Sequence, residues 1–98
     1  MRQEISVKEV KDKLDKEEDF LFLDVREPFE YDEKNLGAKN IPLGELMSQI
    51  DDLDTDKNVP IIVHCRSGQR SGMACDLLKA KGYQNVKNMT GGIEAWEK

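Results

Sequence analysis

Two short runs of consecutive apolar residues constrain this chain more than any other feature. They are Phe20-Leu21-Phe22-Leu23 and Ile61-Ile62-Val63. Neither alternates polar with apolar, so neither suits a strand with one face in water. Each is too short for a helix and rich in strand-forming residues, which fits a strand covered on both faces of a parallel sheet. Between and around them, apolar residues recur at helical spacing. Strands alternating with helices predict an α/β sandwich with a mostly parallel sheet. At 98 residues the chain is expected to form one domain, residues 1–98.

The remaining elements follow from local signals. Residues 2–5 fit a short edge strand. Ser6 and Glu9 read as a capping box opening a helix over 7–15, with Val7, Val10 and Leu14 on one face. Pro28 suits the first position of a short helix reaching about 31–33. Residues 38–42 form a brief extended piece ended by Pro42. Leu43, Leu46, Met47 and Ile50 give a helix over 43–50, and residues 51–58 read as an acidic loop. A helix beginning near Ser71 carries Met73, Ala74, Leu77 and Leu78, and Gly82 suits its end. Residues 84–88 fit a last strand, and 93–96 a closing helical turn.

Cys65 lies at the carboxyl end of the strand over 60–64, where open parallel sheets place their ligands. After it comes the polar loop Arg66-Ser67-Gly68-Gln69-Arg70, then Ser71 and the helix. The first N–H groups of a helix lack internal partners, and its dipole adds about half a positive charge. Arg66 and Arg70 add two formal charges. In such a setting a thiol falls from about 8.5 into the range of about 3.5–7.5. A lone cysteine at a strand end is commonly a small buried hydrophobe. The flanking arginines and Gly68 favour a thiolate nucleophile instead. Asp24 ends the other strong strand and is expected near this loop if the two strands are neighbours.

The net charge of −5 argues against nucleic acid as a partner. No run reaches the roughly 18 apolar residues that span a bilayer, and the first residues hold no apolar signal core. Two cysteines make no disulfide framework, and no Cys/His spacing resembles a metal site. A reducing cytoplasm is therefore expected.

Four residues separate Cys65 from Arg70. Cysteine phosphatases place five there to cradle a tetrahedral phosphate. The tighter ring suits one sulfur atom carried on Cys65 as a persulfide anion. Four motifs now stand in order: Asp24-Val25-Arg26-Glu27-Pro28, Gly37-Ala38-Lys39-Asn40-Ile41-Pro42, Cys65 through Ser71, and Gly91-Gly92-Ile93-Glu94-Ala95-Trp96. Together they resemble a rhodanese-like domain of the single-domain sulfurtransferase type. One departure is Lys34-Asn35, where many members have His-Ile.

The resemblance implies a three-layer sandwich, its central, mostly parallel five-stranded sheet flanked by helices on both faces. It implies a thiosulfate sulfurtransferase acting through a persulfide on Cys65, with cyanide or a thiol as acceptor and no metal or organic cofactor. A monomer is expected, with a protein sulfur acceptor as a further partner. The amides of residues 66–70, thus Arg66, Ser67, Gly68, Gln69 and Arg70, would hold the persulfide. Arg66 would face the incoming anion or stand as a solvated charge. Arg70 would close the loop by pairing with Asp24 or Glu27. Asp24 and Arg26 would support the site or form an ion pair at a strand end. Ser67 and Ser71 are expected to cap the helix rather than donate to substrate. His64, Cys75 and Trp96 are expected to be packing residues.

Rival readings are a phosphatase or arsenate reductase on the same scaffold, which the loop length disfavours, and an interaction or sulfur-relay module within a longer protein.

Overall fold

A computed structural model describes residues 3–53 and 56–98. Among these, five strands form one sheet: β1 (Gln3–Ile5), β2 (Leu21–Asp24), β3 (Lys39–Asn40), β4 (Ile61–His64) and β5 (Val86–Met89). Their order is β1-β5-β4-β2-β3, and every neighbouring pair is parallel. The connecting helices are α1 (Val7–Asp15), α2 (Pro28–Glu33), α3 (Leu43–Gln49), α4 (Gln69–Ala80) and α5 (Gly92–Trp96). This is the expected α/β sandwich.

The central strand shows why its sequence is apolar throughout. Ile61 and Val63 pack with Leu46 of α3 and Ala74, Cys75 and Leu78 of α4. Ile62 points the other way, to Val10 of α1, Ile5 and Met89, with Trp96 of α5 against the same cluster. All four residues of β4 are buried. Moving an aliphatic side chain from water into such a core contributes about 1.5–3 kcal/mol. That exceeds the roughly 1–2 kcal/mol of backbone entropy lost in fixing one residue.

Local signals hold elsewhere. Ser6 Oγ accepts from the Glu9 amide at 3.1 Å, and Glu9 Oε1 accepts from the Ser6 amide at 3.3 Å, so the capping box opens α1. Several boundaries differ from expectation. The helix α3 continues as a 3₁₀ turn, Ile50–Leu53, into the expected loop, because Ile50 and Leu53 are buried. The last strand starts at Val86, and α4 starts at Gln69, two residues before Ser71. Arg2 of the expected edge strand and residues 54–55 of the expected loop lie outside the described residues. No helix among the described residues is long and apolar enough to cross a membrane.

Candidate active site

Cys65 directly follows β4, and its chain reverses through residues 66–68 into α4. Gly68 is the N-cap of α4 with φ +109°, a backbone state that L side chains rarely adopt. The turn aims main-chain N–H groups back at the cysteine. The Gly68 amide donates to Cys65 Sγ at 3.1 Å, and Ser71 Oγ lies 3.3 Å from the same sulfur.

The carbonyls of the loop are held from the other side. The amides of Ile93 and Glu94, at the start of α5, donate to the carbonyls of Cys65 and Arg66 at 2.9 and 3.1 Å. This contact needs glycine: a Cβ at Gly92 would sit 2.4 Å from the Arg66 carbonyl oxygen and 2.5 Å from that of Cys65. The Gly91-Gly92 pair thus lets one helix start dock against the loop that begins the other.

Cys65 is 1 % exposed. Burial pushes the thiol up. The Ser71 hydroxyl, where its proton turns to the sulfur, and the amides of Ser71, Gly68 and Ser67 act against it, and the pKa of Cys65 ends below its ordinary value. The sulfur is buried, yet the polar groups around it favour its charged form.

Arg70 closes the loop as expected, but on a different partner. Its Nη1 and Nη2 donate to Glu30 Oε1 and Oε2 of α2 at 2.7 and 3.0 Å. This corrects the expected pairing with Asp24 or Glu27. Asp24 is already engaged by Arg26, and Glu27 is exposed at the N-cap of α2. The Arg70 hydrogen bonds hold Glu30 far below the usual carboxylate range, at about 2.

Asp24 and Arg26 form a buried ion pair. Arg26 Nη2 donates to Asp24 Oδ2 at 2.8 Å, and Nε and the Arg26 amide each donate to Oδ1 at 3.0 Å. Arg26 Nη2 also donates to the Lys34 carbonyl at 2.6 Å, so the pair ties β2 to the end of α2. Asp24 aligns with His64 across the sheet, and His64 Nε2 is 3.6 Å from Asp24 Oδ2 without a hydrogen bond. His64 is fully buried against Phe22, and burial pushes its pKa down. It packs on the sheet face opposite Cys65, as its alternation suggested.

Arg66 is exposed, its Nε 3.3 Å from Glu94 Oε2. It lines a cleft of about 700 Å³ together with Arg26, Phe29, Glu30, Lys34 and Ile93. Ser67 on the loop and Gln69 at the start of α4 are exposed. Neither serine caps α4: no side chain caps it, and Ser71 lies inside the first turn, buried. Ser71 Oγ instead donates to Asn88 Oδ1 of β5 at 2.6 Å, and Asn88 Nδ2 donates to the Gly68 carbonyl at 3.1 Å. Cys75 is buried in the core.

Sequence reasoning missed Glu30, Asn88 and the purpose of Gly92. Glu30 stands three residues after Glu27, the spacing at which its carboxylate accepts from the Glu27 amide at 3.0 Å. Asn88 is a polar residue on the same face as Val86 in a buried strand, a signal that sequence alone offers.

The architecture is matched in known proteins. The family model described as a rhodanese-like domain matches residues 6–98. YrkF of Bacillus subtilis (strain 168), which carries a provisional sulfur-carrier name, is 38% identical over 94 residues; these cover 95% of this chain and 50% of YrkF. The thiosulfate sulfurtransferase PspE of Escherichia coli (strain K12) is 39% identical over 74 residues, covering 74% of this chain and 70% of PspE. The crystal structure of a rhodanese-like domain protein from Staphylococcus aureus superposes with a TM-score of 0.87 at 28% identity, covering 96% of this chain and 90% of that one. The chain thus spans about half of YrkF but most of the other two. With a matching family model over nearly its full length, the chain belongs to the rhodanese-like domain family.

Proposed function

We propose that the domain moves a sulfane sulfur from a thiosulfate-like donor to a thiophilic acceptor through a persulfide on Cys65. The observation that carries this reading is the Gly68 amide 3.1 Å from Cys65 Sγ, in a loop with four residues between Cys65 and Arg70. The Cys65 thiolate attacks the outer sulfur of thiosulfate. A new S–S bond forms, the old one breaks, and sulfite leaves with its electron pair. Cyanide or a thiolate then attacks the outer sulfur of the persulfide and returns Cys65 as thiolate. Both steps are substitutions at sulfur, and charge balances without a redox partner.

The residues divide the work. The loop amides, preorganised by Gly68 and docked by α5, stabilise the anion before and after transfer. Arg70, held by Glu30, fixes the loop's shape. Arg66 stands at the cleft, where an anionic donor would exchange it from Glu94. Asp24 and Arg26 position the end of β2 beneath the cleft. A reducing compartment such as the cytoplasm would keep Cys65 free for this chemistry. The match to YrkF, half of which lies beyond the shared region, favours a second reading in which the acceptor is a protein thiol.

Steady-state kinetics with thiosulfate and cyanide test the first reading. Ping-pong transfer gives parallel double-reciprocal lines and thiocyanate as product. Persulfide formation without thiocyanate turnover would favour the relay reading, and neither product would remove both.

A further inference from the structure

We propose that Asn88 is a positioning residue that holds the only hydroxyl proton of Ser71 away from Cys65, so that the resting sulfur keeps its own proton. Its meaning for catalysis rests on Cys65 being the sulfur carrier, but the geometry does not.

The proton positions follow from the partners. Asn88 is 4 % exposed, and its Nδ2 donates to the Gly68 carbonyl at 3.1 Å. A carbonyl only accepts. The amide group must therefore present NH₂ to Gly68 and Oδ1 to Ser71. Oδ1 also only accepts, and it lies 2.6 Å from Ser71 Oγ, so the Ser71 proton points at Asn88. Ser71 Oγ then offers lone pairs to Cys65 Sγ at 3.3 Å. A thiol fits this arrangement, donating S–H to Ser71, which donates to Asn88. A thiolate keeps its amide donors but receives no proton from Ser71 in this arrangement. To stabilise it, Ser71 must swing its proton to the sulfur and leave the Asn88 oxygen unpaired and buried.

Two opposed devices therefore act on one sulfur. The amides of Ser67, Gly68 and Ser71 favour the anion, as does the Ser71 hydroxyl once its proton turns to the sulfur, while Asn88 holds that proton away. The charged groups nearby do not reproduce the effect. Arg70 of α4 acts on the sulfur but is matched by Glu30 of α2. His64 of β4 and Lys87 of β5 alternate to the opposite sheet face, and α5 brings the Ile93 and Glu94 amides to the loop carbonyls, its Glu94 carboxylate pairing with the exposed Arg66.

The test is the pH profile of Cys65 alkylation by iodoacetamide, read by peptide mass mapping on the whole chain. Asn88→Ala frees the Ser71 proton. The midpoint should move to lower pH, and the rate below the midpoint should rise about three- to tenfold, the range set by one net hydrogen bond. In a Ser71→Ala background, Asn88→Ala should add no shift. Should Asn88→Ala not fold, Asn88→Leu, close in volume, is read the same way. An unchanged or raised midpoint in a folded variant, or an equal shift with Ser71 absent, would overturn the proposal. Alkylation needs no turnover. A shifted profile without sulfur loading keeps this inference and removes the sulfurtransferase reading. Loading without a shifted profile does the reverse.

Discussion

Arg70 and Glu30 form a two-pronged ion pair, 2.7 and 3.0 Å, that joins the first turn of α4 to α2 across 40 residues of sequence. Paired guanidinium and carboxylate forks combine charge with fixed geometry. This contact locks the carboxyl end of the Cys65–Arg70 loop to a separate element of the fold.

The pair has an acid limit. Glu30 is near 4.5 when unpaired and about 2 here. A lowered carboxylate adds stability that is complete above the unfolded value and lost as pH falls toward the folded one. The melting temperature of Glu30→Gln should lie below that of the parent at pH 6. The gap should close between about pH 4.5 and 2. Thermal denaturation across that range checks it, and a constant gap would contradict the pairing.

His64 is the chain's single histidine, so its ring protons report without ambiguity. Burial lowers its pKa below 6.5. The unfolded chain takes up the proton near that pH while the folded chain resists, so stability is complete above it and declines below. Proton NMR should show no His64 titration around pH 6.5. A midpoint at or above that value would contradict the neutral, buried ring.

Gly92→Ala places a methyl group 2.4 Å from a backbone oxygen that cannot move without shifting the Cys65–Arg70 loop. The cost should be about 2–4 kcal/mol, at the high end for single substitutions. Calorimetry measures it, and sulfur loading should fall in parallel because the loop carbonyls lose their α5 donors. A neutral substitution would show that α5 does not brace the loop.

Much of this site was legible in the residues themselves, and the reasons are local. An unbroken apolar run marks β4 because both of its faces are covered, and the residue after it stands at the carboxyl edge of the sheet. The Ser6 to Glu9 spacing is likewise a local hydrogen-bond pattern. Arg70 shows where local reading ends. Its need for a carboxylate was clear, but three acidic residues lay within one short segment, and only the tertiary fold selects Glu30. Ser71 fails for a related reason. A serine near a helix start suggests capping, yet α4 begins two residues earlier at a left-handed glycine, which leaves Ser71 inside the first turn facing sulfur. Gly92 and Asn88 act through chain segments that only the sheet order brings to the loop.

Mass spectrometry of the intact chain after thiosulfate treatment tests the central claim most directly. The account predicts a gain of one sulfur atom, about 32 Da, mapped to Cys65 and removed by cyanide. Cys65→Ser should abolish it, and Cys75→Ser should leave it unchanged. Absence of the gain in the folded chain, or its appearance on Cys75, would contradict the account.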